Sequence, residues 1–385
     1  MMNGEPTGGT SPLVRGVGLA VLAAVSFGVT APFLQRASAG VATMTAGALL
    51  YLGAAAGGVL AAAASIAFAR GTRRSTAQPG PRAQAAADPQ PSTPMSVSMT
   101  AGTLGVVLLV AGLGAIAAPA LLVAGLRRSD AASGSLLLTL EAPLTVALAS
   151  IVFHERLGAR VVGAASAILA GALLLVLRPA TSTNTTVGLA LIGGATLCWA
   201  LDNLLSRRLA EWDPARVVVW KGAVGGVLSA AIAVAIGEPR PALGPAGVLL
   251  LLGALGYGVS LRLYLRAQTL VGAARTASVF AAAPFVGAGV ALALGSAWPG
   301  WRLPAGAALM VLGVALHLSE RHRHVHTHEA TTHEHLHTHD DGHHTHTHRP
   351  MPAGAHSHAH QHEPLTHEHA HSEDLHHRHV HPHET

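Results

Sequence analysis

Long apolar runs separated by short polar stretches dominate the first 319 residues of this chain. A helix that crosses a membrane needs about 20 mostly apolar residues. Ten runs meet that rule, at residues 13–34, 42–69, 101–126, 131–152, 159–177, 187–206, 215–236, 245–267, 273–296 and 302–319. All should be helical, because a backbone in lipid must satisfy its own hydrogen bonds. We therefore predict an all-α membrane protein with ten transmembrane helices.

The fourth and ninth runs carry related sequences. Residues 133–155, SGSLLLTLEAPLTVALASIVFHE, have a weaker copy at 274–296, in which Pro284 aligns with Pro143. The first and sixth runs resemble each other more loosely. The ten spans therefore divide into two repeats of five, and an odd number of spans in each repeat inverts one repeat against the other.

Three segments fall outside the predicted bundle. Residues 1–12 form a short N-terminal segment, and residues 71–99, rich in Pro, Ala and Gln, are predicted to be a flexible insert in the first repeat. Residues 320–385 are too polar to build a core and are predicted to be a disordered tail. The repeats themselves are placed at 13–178 and 187–319.

Composition supports a membrane protein and charge suggests its orientation. The chain is 50% hydrophobic and only 11% charged, which is too apolar for a soluble protein of 385 residues. With the N-terminus inside, the inner loops hold eleven arginines and the outer loops six. This bias predicts a multi-pass protein with both termini in the cytoplasm. The expected partner is the lipid bilayer and not nucleic acid.

Glu141 is the clearest ionisable residue inside a span. A charge at a helix centre costs about 2.5–3.5 kcal/mol, and such residues usually face the bundle interior or an aqueous cavity. Glu141 lies two residues before Pro143, which bends the helix and frees a backbone carbonyl. We interpret the two residues as a proton- or cation-binding point on the substrate pathway. The alternative is a buried glutamate that pairs with an arginine for helix packing.

Trp199, Asp202 and Asn203 lie late in the sixth span and are assigned to the same pathway. Asp202 is also within helical pairing distance of Arg207 and Arg208, so an interfacial salt bridge is an alternative. Trp199 is alternatively a packing residue or part of an aromatic belt at the membrane interface.

The seventh and eighth spans add further candidates for the pathway. Lys221, about a turn into the seventh span, is expected to pair with one of the two carboxylates or to extend to the interface. Arg262 lies deep enough to need a partner and would suit an anionic group of a substrate. Tyr257 shares a helix face with Tyr264, seven residues on, and packing is the alternative role for both.

At these residues the chain resembles a known family. LLLTLEAPLTVALASIVFHERL, followed by GAASAILAGALLLV, is similar to the EamA-type domain of the drug/metabolite transporter superfamily. Glu141, Pro143, Glu155 and Arg156 match its pattern, and CWALDNLLSRRLAEWDPARVVVWKGAVGG resembles the opening of a second repeat. The resemblance covers residues 13–319 and implies a ten-helix carrier of small solutes, often an exporter, that works without ATP. The absence of a GxxxxGK[ST] motif agrees with this.

The second repeat departs from the family pattern. Ala282 stands where the first repeat has Glu141, and Ser296 stands where it has Glu155. Two equivalent ion sites are therefore not expected.

The last part of the chain is dominated by histidine. Of 26 histidines, 24 follow Glu320, many of them in a His-x-His pattern. Neutral imidazole is the commonest protein ligand for Zn²⁺ and also suits Ni²⁺, Co²⁺ and Cu²⁺. We predict that the tail binds transition metal ions and that no other cofactor is required. The candidate ligands are His322, His324, His326, His328, His333, His335, His337, His339, His343, His344, His346 and His348.

The leading hypothesis is a secondary transporter of small solutes in a bacterial plasma membrane that works by alternating access, and the resemblance implies an exporter of metabolites or drugs. One alternative is an exporter of Ni²⁺, Co²⁺ or Zn²⁺ that the tail feeds or regulates. Another is a membrane-anchored metal-binding protein without transport. An enzyme is not expected, because no nucleophile–base motif or cofactor loop stands out. The substrate, the coupling ion and the oligomeric state are left open.

Overall fold

The computed structural model describes residues 12–76, 105, 108–153, 157–177, 183–206, 214–318 and four short segments of the tail. The chain divides into two units, residues 1–319 and 320–385. The first unit is a helical bundle, and in its described residues all regular structure is helical.

The first repeat contains five apolar spans, three of which consist of more than one helical element. Its elements are α1 (Pro12–Gly28), α2 (Thr30–Ala37), α3 (Thr43–Thr76), a π-helical segment (Gly112–Ala117), α4 (Ala118–Leu126), α5 (Ala131–Leu137), a 3₁₀ turn (Leu138–Leu140), α6 (Glu141–Phe153) and α7 (Ala159–Val176). The first span is α1 with α2, the second α3, the third the π segment with α4, the fourth α5 with α6, and the fifth α7.

The second repeat follows the same plan. Its elements are α8 (Thr183–Ser206), α9 (Pro214–Ala235), α10 (Leu243–Gly253), a second π segment (Ala254–Val259), α11 (Ser260–Val271), α12 (Ala273–Phe280), α13 (Ala283–Ala293) and α14 (Arg302–Leu318). The sixth and seventh spans are α8 and α9, the eighth is α10 with α11, the ninth α12 with α13, and the tenth α14.

Helices lie at all ten positions predicted from the apolar runs. Eight of them are long and apolar enough to cross a membrane. Two shorter apolar helices, Val219–Ala235 and Arg302–Leu318, occupy the seventh and tenth positions. Ten crossings therefore stay a prediction. The boundary of the predicted insert differs, since α3 continues to Thr76, and the first proline that would stop it is Pro79.

Breaks in the fourth and ninth spans lie at matched positions. The fourth span changes from α-helix to 3₁₀ at Leu138–Leu140, before Pro143, and the ninth is broken by a turn at residues 281–282, before Pro284. The two prolines are 141 residues apart, as the repeat alignment predicts. Discontinuous helices in corresponding halves are typical of transporters, where they form binding sites near the membrane midplane.

The two π segments recur with the same spacing. The first begins at Gly112 in the third span and the second at Ala254 in the eighth, 142 residues later. Single π turns inside α-helices occur often at functional sites, because they interrupt the regular hydrogen-bond ladder. Both repeats therefore carry the same irregularity in the same span.

The contacts between helices are symmetric with respect to the two repeats. The second span packs against the seventh and the fifth against the tenth, so each of these pairs joins equivalent helices. The first span packs against the eighth, and the third packs against the sixth. These two contacts are also equivalent, because the first span corresponds to the sixth and the third to the eighth. This is the arrangement that a two-fold axis between the repeats would produce.

Glycines let these pairs of helices approach closely. A Cβ on Gly171 would lie 2.7 Å from the carbonyl oxygen of Gly306, where the fifth and tenth spans meet. Gly53 and Gly253 face the backbone of each other's helix, at Leu250 and Leu50. Small residues are the usual means of close packing where lipid gives no hydrophobic drive for helix association.

The tail contains strands where the sequence predicts disorder. These are β1 (Arg323–His328), β2 (Thr331–His337), β3 (His356–His362) and β4 (Leu365–Ala370). β1 pairs antiparallel with β4, and β2 with β3. The prediction of a disordered tail is therefore wrong for these four segments. The physical reason is the His-x-His alternation, whose period of two matches a β-strand.

We expect Gly253→Val to lower the free energy of unfolding of the bundle by about 1–3 kcal/mol, the usual cost of overpacking. The added side chain would overlap the backbone of Leu50 on α3. Thermal unfolding of the purified protein in detergent would measure the loss. Gly247→Val on the same helix is the matched control, because a Cβ there meets open space. Equal losses in both variants would contradict this account of the packing.

Candidate functional site

An ion pair between the sixth and seventh spans lies at the centre of the polar cluster. The ammonium of Lys221 on α9 donates to the carboxylate of Asp202 on α8. Asp202 is 2% exposed and Lys221 21% exposed. Ser206, one turn along α8, also donates to Asp202, at 3.3 Å. Of the partners considered for Lys221, the structure therefore places Asp202 beside it. The alternative partners of Asp202, Arg207 and Arg208, lie outside the described residues.

Gly114 makes room for this ion pair. It lies in the π segment of the third span, and a Cβ there would collide with the carboxylate of Asp202 and approach the Cε of Lys221 to 2.9 Å. Only a residue without a side chain fits between the third span and the ion pair.

Glu141 forms a second polar contact beside the first. It begins α6, directly after the 3₁₀ turn and two residues before Pro143. The side-chain amide of Asn203 donates to its Oε1 at 2.8 Å. Asn203 is exposed and Glu141 is half-buried, so the pair lies at the edge of the packed core. Within the part of the chain that the structure describes, the carboxylate is thus held by a neutral amide and not by an arginine.

Trp199 and Tyr51 are tied to the same π segment. The indole N–H of Trp199 donates to the carbonyl oxygen of Gly114 at 3.0 Å, and the hydroxyl of Tyr51 donates to that oxygen as well. The indole N–H also lies 3.4 Å from the Tyr51 hydroxyl. Both side chains are 8% exposed. Trp199 is therefore a packed core residue and not a member of an interfacial belt.

A continuous series of aromatic rings leads away from this point. Ring centroids lie 6.0 Å apart between Tyr51 and Tyr257, 5.6 Å between Tyr257 and Phe27, 5.4 Å between Phe27 and Phe280, and 5.0 Å between Phe280 and Tyr264. The chain has only three tyrosines, and all three belong to this series. Aromatic residues make up only 4% of this protein, so their concentration beside the charged cluster makes this region a candidate functional site.

The structure brings most of the predicted pathway residues together. One cluster of contacts on the fourth, sixth and seventh spans contains five of them, namely Glu141, Trp199, Asp202, Asn203 and Lys221. Tyr257 joins it through the aromatic series. Pro143 adjoins the cluster along α6, and Arg262 is half-buried on α11.

Sequence reasoning missed Phe27 and Tyr51, and it gave no reason to place Gly114 beside an ion pair. Neither aromatic residue lies in a motif, and each sits in an ordinary apolar run. The signal that could have been used is the repeat itself, since Gly114 and Gly256 stand 142 residues apart, each inside a π segment.

No group of three His, Cys, Asp or Glu side chains that could hold a metal ion occurs among the residues of the bundle that the structure describes. The single cysteine, Cys198, is half-buried next to Trp199 in sequence. The chemistry of the cluster is that of carboxylates, one ammonium, an amide and aromatic rings.

The end of the bundle that carries the loops 38–42, 127–130, 236–242 and 294–301 is here called the first face. Side chains tie its loops together. The amide of Gln35 donates to the carbonyl oxygens of Leu126 at 2.6 Å and Ser129 at 2.7 Å. Arg36 donates to the carbonyl oxygen of Leu294, joining the first repeat to the second.

Glu238 adds a link from the seventh span to the second. Its carboxylate accepts from the backbone N–H of Met44 at 3.1 Å and of Thr45 at 2.8 Å, and from the Thr45 hydroxyl at 2.7 Å. It thus caps the start of α3, whose first N–H groups have no partner within the helix. Burial pushes the pKa of Glu238 upward, but these hydrogen bonds and the charge of Arg127 outweigh it and lower the pKa. The link therefore stays ionised at neutral pH and weakens only as pH falls through that lowered value.

A small cavity of about 160 Å³ lies at the first face, away from the charged cluster. Its lining includes Gln35, together with Arg36 and Leu294, the two residues that join the first and ninth spans. The cavity therefore belongs to the first face and not to the central cluster.

These features define a class of protein. Apolar helices in two related halves, broken at matched prolines around a buried polar cluster, are typical of multi-pass membrane transporters of small solutes. The sequence model of the EamA-like transporter family matches residues 14–177 and 186–319. The chain belongs to the EamA-like transporter family, and the two matches confirm the two repeats inferred from the sequence.

Solved structures support the same fold. One, entitled "Crystal structure of protein", is 20% identical in sequence and has a TM-score of 0.51. The alignment covers 79% of this chain and 96% of that one. At this identity the likeness shows the fold alone. The comparison with curated proteins found no match.

We expect Asp202→Asn and Lys221→Met each to destabilise the protein, because each leaves the other charge without its partner. Breaking a buried ion pair costs about 3–5 kcal/mol, and less is expected here because Lys221 is not fully buried. The double variant should recover most of the loss, since it leaves no unpaired charge. Thermal unfolding of all four proteins measures the coupling. Losses that simply add in the double variant would show that the two side chains do not stabilise each other.

Proposed function

We propose that this protein is a secondary transporter that exports small organic solutes from the bacterial cytoplasm by alternating access. The observation that carries the proposal is the central cluster of Glu141, Asn203, Asp202 and Lys221, which lies where broken helices and π segments of the repeats meet. Charged residues inside a membrane bundle usually mark a substrate or ion pathway.

The matched breaks in the fourth and ninth spans would act as hinges in this mechanism. A helix interrupted at its midpoint can change the angle between its halves with little cost to packing elsewhere. The fourth and ninth spans have such breaks before Pro143 and Pro284. Because Glu141 begins the second half of the fourth span, a change of angle there would move the carboxylate relative to Asn203 and the ion pair.

The first face is the natural candidate for the closed gate. Gln35, Arg36 and Glu238 each cross from one span to another there, and opening would require these hydrogen bonds to be exchanged. Asn203 is exposed at the same time. These two features favour a conformation in which the cluster is reached from the opposite face.

The distribution of arginine supports the orientation. The loops of the first face carry the smaller share of arginines, so the first face is assigned to the exterior and both termini to the cytoplasm. In this orientation the described conformation would receive solute from the cytoplasm, as an exporter must.

Chemical labelling of a cysteine in the cluster would test alternating access without knowledge of the substrate. In a Cys198→Ala background, Asn203→Cys should react with a charged, membrane-impermeant maleimide from the cytoplasmic side. Adding Glu238→Gln should weaken the first face and raise labelling from the exterior several-fold. Labelling would be compared in right-side-out and inverted membrane vesicles.

The matched control for this experiment is Arg302→Gln. This variant also removes a hydrogen bond at the first face, the one that Arg302 Nη1 donates to the carbonyl oxygen of Leu177 at 3.0 Å. That bond joins only the fifth and tenth spans. The variant should leave the side of labelling unchanged. Reaction from one side only, in every variant, would contradict alternating access.

A second candidate function concerns the tail. The pairing of β1 with β4 and of β2 with β3 sets histidine opposite histidine, for example His326 opposite His367 and His335 opposite His358. Residues directly opposite in an antiparallel pair lie on the same face. This favours binding of Ni²⁺, Co²⁺, Zn²⁺ or Cu²⁺ by the tail, which would then deliver metal to the transporter or regulate it.

We expect His333, His335 and His337 changed together to Gln to lower the affinity of the full chain for Zn²⁺ or Ni²⁺, measured by equilibrium dialysis. The matched control changes three other tail histidines, His343, His344 and His346, which fall outside the described strands. Equal losses in both would mean that only the number of histidines matters.

The role of the tail in transport has its own test. Cells lacking the protein would be complemented with the full chain or with a chain that ends at Ser319, and their metal content measured. Metal accumulation that only the full chain reverses would favour a metal exporter. No change with any of the four ions would leave organic solutes as the cargo.

A further inference from the structure

The strand pairing of the tail sorts its histidines by face. We call β1 with β4 the outer ladder and β2 with β3 the inner ladder. In the outer ladder His326 is opposite His367, and the adjacent pair, Val325 with Glu368, contains no histidine. Neighbouring residues of a strand lie on opposite faces, so the histidines of this ladder share one face. Their positions are His324, His326, His328, His367 and His369.

The inner ladder follows the same rule with a longer row of histidines. His335 is opposite His358, and the adjacent pair, Leu336 with Ser357, contains no histidine. A shift of the pairing by one residue would set His335 opposite Ser357 or Ala359 and would remove every histidine pair of this ladder. The alternation in the sequence and the register of the pairing are thus matched. The histidines on this face are His333, His335, His337, His356, His358, His360 and His362.

The apolar content of these strands is too small to hold the ladders closed. Val325, Leu336 and Leu365 are the large apolar residues of the four described strands. A two-stranded sheet is marginally stable at best in water. Each ladder also joins distant parts of the chain, the inner one across residues 338–355 and the outer one across 329–364, at a cost in chain entropy. A further bond between the strands would therefore shift the tail toward its paired form.

A transition metal ion held by both strands would supply that bond. Opposite residues in an antiparallel pair have Cβ atoms about 4.5–5.5 Å apart, and alternate residues of a strand are about 7 Å apart. Two successive histidine pairs on one face therefore place four histidine positions within a small area. Zn²⁺ takes four ligands in a tetrahedral arrangement, with bonds of about 2.0–2.1 Å to imidazole nitrogen. Because such a site requires paired strands, the free energy of metal binding becomes free energy of folding.

We propose that each ladder binds a divalent transition metal ion through histidines of both strands, and that the bound ion closes the ladder. The inference rests on the proposed binding of metal by the tail. It adds that the histidines act in sets defined by the strand register, and that metal controls whether the strands pair. The ligands of the outer site are His324, His326, His367 and His369, and an equivalent set in the inner ladder is His333, His335, His358 and His360.

The test follows closure of the outer ladder in the full chain, purified in detergent and freed of metal with EDTA that is then dialysed away. In a Cys198→Ala background, Thr327→Cys and Thr366→Cys place two thiols at opposite positions on the face without histidine. Both thiols are labelled with pyrene maleimide, whose excimer emission reports contact between two labels. Zn²⁺ is the probe, because it is redox-inactive. Chains with a single label give the background from contacts between molecules.

Zn²⁺ should raise the excimer emission several-fold and saturably, and EDTA should reverse the rise. Mg²⁺ should have no effect, because it takes oxygen ligands. The matched variant carries Arg323→His, His324→Arg, Val325→His and His326→Val, which keeps the number of histidines and moves two of them to the other face of β1. This variant should need at least fivefold more Zn²⁺ to reach half of the rise, because only two of the four ligands remain on the shared face.

Two results would overturn the proposal. One is saturable binding of Zn²⁺ without a rise in excimer emission, and the other is an equal response of the parent chain and the matched variant. Equilibrium dialysis of the same samples measures the bound Zn²⁺. Either of the two results with Zn²⁺ bound would retain metal binding by the tail and reject closure by register, whereas no bound Zn²⁺ would reject both. None of these outcomes bears on the labelling of Asn203→Cys, which tests alternating access.

Discussion

Lipid offers no hydrogen bonds, so every irregularity in this bundle must find its partners within the protein. The π segment of the third span shows how this is met, because the carbonyl oxygen of Gly114 accepts from Trp199 and Tyr51. At the first face, Gln35 serves the carbonyl oxygens that end α4, and Glu238 serves the N–H groups that begin α3. The same bonds that satisfy the broken backbone also fix the neighbouring spans relative to each other. The helix breaks, the hydrogen bonds at the first face and the central cluster therefore depend on one another.

The two repeats share their scaffold but not their chemistry. Both have a broken fourth helix, a π segment in the third helix and equivalent packing pairs. The charge does not follow the symmetry, since Ala282 replaces Glu141 at the matched position. A symmetric scaffold can supply two related conformations, whereas the carboxylate of Glu141 occurs in one repeat alone. This division fits a carrier that changes its side of access around one site.

Much of this organisation can be predicted from the sequence. The apolar runs locate all ten helices to within a few residues at most ends, and the Pro143–Pro284 alignment predicts the matched breaks. The intramembrane charges point to the cluster, and the pairing of Lys221 with Asp202 is among the pairings that they suggest. The cost of charge in lipid makes such residues informative, because few of them occur without a structural or functional reason.

The contacts between side chains of different spans could not be predicted. They depend on how each helix is rotated about its own axis, and apolar runs of uniform composition do not show that rotation. Tyr51 and Phe27 look like ordinary residues of their spans until their neighbours are known. Choosing Asn203 and not an arginine as the partner of Glu141 also requires the relative rotation of the fourth and sixth spans. In the tail, composition predicts disorder, whereas the two-residue alternation of histidine is compatible with the strands observed.

The single lysine has a practical consequence. Since Lys221 is the only lysine of the chain, its ε-amine and the terminal α-amine are the two ordinary targets of acylating reagents. Its ammonium is engaged with Asp202 and 21% exposed, so its reactivity depends on how firmly the sixth and seventh spans hold each other. Amine chemistry thus becomes a site-specific reporter on the centre of this transporter, without any engineered residue.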